Sequence, residues 1–422
     1  MSYTPSLTCN KNSNDGSIMS KIMDFKQQMQ SHEEANLNVY KKHPIVTACD
    51  REVVVYNRFS KQNEMKILFG SNSYLGASNL ERAKKKASEV LLNNGIGSGS
   101  VPLLTGTTIY QNKLECLISD FTNFQDTILF SSGYTANLGA ISGLMRPNNL
   151  ILHDKLNHAS LIDGTILSGA NMLRYRHNDM ADLRRLLESN YAKYPNGIIV
   201  ATDGVFSMDG DIAKIPDILE LTKKYNAILL IDEAHAIGVI GKNGAGTLSH
   251  YGIEERDNII QTGTLSKALG TVGGYISASQ DVINYLRIYS RSNMFSTSLP
   301  PSVCASAIEV LKEIQDTNVV TQLQTNAEYM RTSLRNKGFN ILQSETPIIP
   351  LIVGNPELLT ILVNDAFKAG FLVNAIYPPA VPPKLTRFRI SVMATHTKGD
   401  MDSFMDILIR LFLKYGQKAF VK

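Results

Sequence analysis

Lys267 sits in Gly263-Thr264-Leu265-Ser266-Lys267-Ala268-Leu269-Gly270, just beyond the apolar run Asn258-Ile259-Ile260. The small and hydroxyl side chains around it offer an ammonium little compensating charge. Desolvation favours the neutral amine, and a neutral amine at the end of a buried strand attacks carbonyls to form Schiff bases. The competing reading is a lysine pointing outward from a Gly-rich turn. Its company separates the two. Asp203 and Asp232 close the apolar runs beginning at Gly197 and Ala227, as Lys267 follows a third. A carboxylate buried at a strand end needs a cationic partner. A protonated pyridine nitrogen meets that need, and a ring held this way is an electron sink for a carbanion. Pyridoxal phosphate combines that ring with the carbonyl.

Other residues extend the pattern. His158, in Leu156-Asn157-His158-Ala159-Ser160, is placed to lie over a ring face, and His235 to reach a ring hydroxyl or an amino acid. Each also reads as a core histidine. Ser131-Ser132-Gly133-Tyr134 turns a strand into a helix, where the N–H groups of Gly133 and Tyr134 can hold a phosphate; a plain turn is the alternative. Asn72 suits a carboxylate or a turn. Arg387 and Arg389 fall on one side of a strand, as a carboxylate clamp or as surface arginines. Gly95-Ile96-Gly97-Ser98-Gly99-Ser100 lacks the strand and helix that a dinucleotide loop needs.

The elements that must position these residues alternate. Strands over 126–130, 150–152, 197–201, 227–231 and 258–260 are separated by helices over 135–145, after His158 and after Pro216. This is an α/β pattern with a mostly parallel central sheet, helices on both faces and ligands at the strands' carboxyl ends. We expect a disordered leader over 1–20, an N-terminal helix (22–37) and short strands within 21–65, a large domain over 66–300, and a smaller C-terminal α/β domain over 301–422. Its last helix has Asp400 as the expected N-cap and Met401, Phe404, Met405, Leu408, Leu411 and Phe412 on one face.

Composition narrows the class. A chain of 422 residues with 43% hydrophobic content and net charge +4 buries a large core and shows no basic stripe for nucleic acid. Cys9, Cys49, Cys116 and Cys304 form no Cys-x-x-Cys pair, so no metal site is expected and a reducing cytoplasm fits. There is no signal-like or spanning apolar run, and membrane association is not required.

Together, Ser132-Gly133-Tyr134-Thr135-Ala136-Asn137, the stretch Asp203 to Asp211, Asp232-Glu233-Ala234-His235, Gly263 to Lys267 and Phe295 to Pro300 resemble the α-oxoamine synthases, fold-type I pyridoxal phosphate enzymes. The resemblance implies that Lys267 carries the cofactor as a Schiff base and takes the α-proton, that Asp232 binds the pyridine nitrogen and that His158 stacks on the ring. It places His235 and Ser207 near the ring hydroxyl, and Gly133, Tyr134 and Thr264 at the phosphate, with Ser296 and Thr297 arriving from a second subunit. Asn72 and Arg389 match the positions for the amino-acid carboxylate. It also implies a homodimer with shared active sites. The reaction joins an amino acid to an acyl thioester with loss of carbon dioxide.

Within the family, the leader, His43-Pro44, Ser266 and Ser298-Leu299-Pro300-Pro301 favour a serine palmitoyltransferase, using L-serine and acyl-CoA in sphingolipid biosynthesis. The alternatives are 8-amino-7-oxononanoate synthase, glycine C-acetyltransferase, 5-aminolevulinate synthase and a signalling α-aminoketone synthase. An aminotransferase and a non-catalytic homologue are more distant readings. Pro102 stands where several members have an arginine, which bears on the acyl partner.

Overall fold

The computed structural model describes residues 17–34, 43–195 and 197–416. Most of the expected leader lies outside them, as do residues 35–42, where the expected N-terminal helix would end. That helix runs Ile18–Glu34. The chain divides into two compact units, 73–324 and 1–72 with 325–422.

The 73–324 unit is built on a seven-stranded sheet. In spatial order its strands are Asp126–Phe130, Gly274–Ala278, Ile259–Thr264, Ile228–Asp232, Ile198–Asp203, Leu150–Asp154 and Asn171–Tyr175. The strand Gly274–Ala278 runs antiparallel to both neighbours, and every other pair is parallel. The sheet therefore matches the mostly parallel expectation with one reversed strand. Alternation covers both faces: Ile199, Ala201, Leu230 and Ile260 enter one core, while Ile198, Val200, Leu229, Ile231 and Ile259 enter the other. Runs apolar at every position result.

Helix Pro301–Asp316 belongs to this unit, so the unit extends past the boundary expected at residue 300. Arg82, on helix Glu81–Asn94, pairs with Glu309 at 3.1 Å and Glu313 at 3.3 Å, and Cys304 and Ala305 are buried. Pro300 and Pro301 mark the start of that helix rather than a change of unit.

In the other unit, strand Arg387–Ser391 lies between Ile348–Ile352 and Asn374–Ile376, antiparallel to both. Its central place explains why Arg387 and Arg389 are buried rather than on the surface. The last helix, Lys398–Lys414, buries the expected six side chains. Its N-cap is Thr397, not Asp400; Asp400 is the third helical residue and completes the capping box. Among the described residues, no helix is long and apolar enough to cross a membrane.

Candidate active site

Parallel strands place their carboxyl ends along one edge. Asp203 and Asp232 are register partners, as are Asp232 and Thr262. His158 follows the end of Leu150–Asp154, Ser132 follows Asp126–Phe130, and Lys267 follows Ile259–Thr264. These ends enclose a cavity of about 230 Å³ that takes in Gly133, Tyr134, His158, Asp232, His235, Thr264 and Lys267.

The lysine loop is held by its backbone. Gly270 N–H donates to the Lys267 carbonyl at 3.0 Å, and Leu265 N–H to Gly273 at 3.0 Å. Gly270 has φ +66°, and a Cβ there would lie 2.4 Å from the Ser78 backbone nitrogen, so glycine is required. Facing the loop, helix Gly133–Leu144 opens with a Ser132–Thr135 capping box. A Cβ on Gly133 would lie 2.9 Å from Thr264 Cβ. Glycine thus leaves a cradle between the helix N-terminus and Thr264, suited to a phosphate.

Asp232 accepts from Asn137 Nδ2 at 2.6 Å and from Ala234 N–H at 2.9 Å. It is 6% exposed, at the end of its strand. A buried carboxylate so placed fits a protonated pyridine nitrogen. Asp203 accepts from His158 N–H at 3.1 Å; burial, then the Asp232 charge, pushes its carboxyl well above the usual range. Burial likewise holds His158 below the ordinary histidine range, against the field of Asp232 and with that of Lys267. His235 Nδ1 pairs with the buried Tyr74 hydroxyl at 2.7 Å.

Two of the expected pieces are not among the residues that line this cavity. Ser207 does not line it. Ser296 and Thr297 line a separate small cleft with Pro102. Asn72 and Arg389 belong to the other unit, where Arg389 Nη1 donates to Asn72 Oδ1 at 2.9 Å. Sequence reasoning missed Asn137, Ser160 and Tyr74 as site residues. The available signal was Asn137, an amide buried within an otherwise small and apolar helix.

His177, Asp209 and Asp211 come close enough to suggest a metal site. His177 donates instead to Asp154 at 2.9 Å and Asp211 at 2.8 Å. Burial opposes its charge, but those carboxylates outweigh it and raise the imidazole to about 10. Protonated, the ring donates from both of its nitrogens to these two carboxylates.

Residues 64–408 match the model of the family "Aminotransferase class I and II". An 8-amino-7-oxononanoate synthase of Lysinibacillus sphaericus is 41% identical over 394 residues, 93% of this chain and 98% of its own length. One from Thermoanaerobacter pseudethanolicus is 40% identical over 353 residues, 83% of this chain and 88% of its own. The chain belongs to the α-oxoamine synthase family, within the class I and II aminotransferases. Among solved structures, serine palmitoyltransferase from S. paucimobilis, with a bound PLP–myriocin adduct, superposes with a TM-score of 0.88. It is 27% identical and matched over 95% of this chain and 100% of that one.

Proposed function

We propose that the protein condenses a small amino acid with an acyl thioester on pyridoxal phosphate, releasing carbon dioxide and a free thiol. One observation carries the reading: Lys267, Asp232, His158, Gly133 and Thr264 line a single cavity at one edge of the sheet. The cofactor supplies an electron sink for the carbanion at the amino acid's α-carbon. Lys267 holds the cofactor and moves the α-proton through its Nζ. Asp232 carries the charge opposite the pyridine nitrogen, and the neutral His158 ring covers the ring face. His235 serves the ring hydroxyl. The phosphate rests on Gly133, Tyr134 and Thr264. Asn72 and Arg389 bind the substrate carboxylate.

For the amino acid, similarity moves the first choice from L-serine to L-alanine. The name 8-amino-7-oxononanoate describes a methyl-bearing amino carbon joined to a chain ending in a carboxylate. Loss of carbon dioxide from alanine leaves that amino carbon, and an ω-carboxyacyl thioester leaves the rest. Relatives of this name reach 41% identity, against 27% for the serine palmitoyltransferase structure. L-Serine with a long acyl thioester is the second reading, supported by the TM-score of 0.88. A homodimer with shared sites completes the proposal. Ile96, Leu104 and Phe295 are 82%, 75% and 68% exposed, on segments joined by Ser98–Ser298 and Ser298–Ser100 hydrogen bonds beside Ser296 and Thr297. A second copy would cover them.

The deciding experiment is an absorption spectrum of the cofactor-loaded protein titrated with L-alanine, L-serine, glycine and L-threonine, followed by thiol-release assays with acyl thioesters. A saturable shift with L-alanine and thiol release from an ω-carboxyacyl thioester is expected. A shift with L-serine alone selects the second reading. No lysine-bound cofactor band refutes the chemistry of Lys267.

A further inference from the structure

Asn137 lies at the centre of a hydrogen-bonded chain whose polarity is fixed throughout. Ser160 N–H donates to His158 Nδ1 at 3.3 Å, and a backbone N–H has no other role, so Nδ1 is an acceptor. Ser160 Oγ, 2.7 Å from the same nitrogen, must therefore give it the hydroxyl proton. Having donated, that oxygen accepts from Asn137 Nδ2 at 2.8 Å. The same amide nitrogen donates to Asp232 Oδ2 at 2.6 Å, and Asn137 Oδ1 accepts the Thr262 hydroxyl at 2.5 Å. The amide can face only one way. Asn137, Ser160 and Thr262 are 2%, 0% and 0% exposed.

We infer that Asn137 and Ser160 are positioning residues, which join Asp232 to His158 and hold His158 with its proton on Nε2. The chain ties two groups that serve different parts of the cofactor, the ring nitrogen and the ring face, in one rigid arrangement. This inference rests on the roles proposed above for His158 and Asp232. Two donors on the Nδ1 lone pair favour the unprotonated imidazole, in the same direction as burial. The charged and titratable groups around the ring are Asp232, Lys267, Asp163 and Asp203, with the Tyr134 ring set edge-on at 6.3 Å.

The test uses the full-length chain with ¹⁵N-labelled histidine, before and after addition of pyridoxal phosphate. His158 should show an unprotonated Nδ1 and a protonated Nε2. Ser160→Ala removes one of the two donors and should move the His158 titration upward; Asn137→Leu should move it the same way. Ser160→Thr, which keeps the hydroxyl, should restore the wild-type titration. The double variant should move it no further than Ser160→Ala alone, because both act through one hydroxyl. In turnover, Ser160→Ala should lower kcat and leave KM for the amino acid unchanged. An unmoved titration in Ser160→Ala, or additive shifts in the double variant, would overturn the inference. If Asn137→Leu does not fold, Ser160→Ala and Ser160→Thr still decide it. Because the titration is read without cofactor, its failure is separate from failure of the proposed reaction, which the absorption band reports.

Discussion

Asp203 and Asp232 end adjacent strands in register, yet they play different electrostatic parts. Burial and the field of Asp232 push the Asp203 carboxyl up, so an amide can replace it with little change. Asp203→Asn should keep kcat/KM within a few-fold, whereas Asp232→Asn should lower it about 100-fold, the loss of about 3 kcal/mol of transition-state stabilisation. Steady-state kinetics of the two variants checks this. Glu233 gives a second residue-scale expectation. Burial raises its carboxyl to about 7, despite acceptance of the Thr247 N–H and hydroxyl. The folded state then binds more protons than the unfolded state between the ordinary carboxyl value of 4.5 and about 7, so this group makes stability fall as pH rises through that window. Glu233→Gln should remove that part of the slope in denaturant unfolding measured from pH 4.5 to 7. Lys267→Ala should abolish both turnover and the lysine-bound cofactor band, and an active, coloured variant would refute the assignment.

At the scale of elements, each functional group is held by the end of a strand or the start of a helix. His158 is itself the N-cap of helix Ala159–Ser168, so its ring orientation is fixed by the cap hydrogen bond. The lysine loop depends on close backbone approach at Gly270, against Ala77 and Ser78. Gly270→Val should cost about 3 kcal/mol through its positive φ and that collision. Thermal unfolding should show the lost stability, and cofactor titration should show weaker retention. The runs Gly197–Ala201 and Ala227–Ile231 were legible as strands because both sheet faces are covered. Legible too was the apolar face of Lys398–Lys414, whose six buried residues recur at helical spacing. Its cap was misplaced because Thr397 and Asp400 are both good capping residues, and only the backbone at Thr397 shows which one leaves the helix.

At the scale of the molecule, the proposal distributes one active site over two copies. Hybrid dimers of Lys267→Ala with a Ser296→Ala/Thr297→Ala partner should regain thiol release, since one of their two sites keeps both contributions. Co-purified, differently tagged chains assayed against each parent measure this, and absence of recovery would exclude shared sites. Whether the exposed Ile96, Leu104 and Phe295 are covered can be read from the mass of the protein in solution.

The sequence by itself determined the α/β alternation, the glycines that the lysine loop requires, and the set of chemically capable residues. These are local properties, expressed through side-chain period, turn chemistry and residue type. Only the tertiary structure decided which of them meet. Parallel pairing set Asp203, Asp232 and Thr262 side by side, although they are tens of residues apart in the chain. It also brought in Asn137, Ser160 and Tyr74, whose hydrogen-bond partners have no fixed spacing in sequence. It assigned helix Pro301–Asp316 to the larger unit through its ion pairs with Arg82. Such pairings depend on which surfaces pack, and a linear pattern of polar and apolar residues carries no record of that choice.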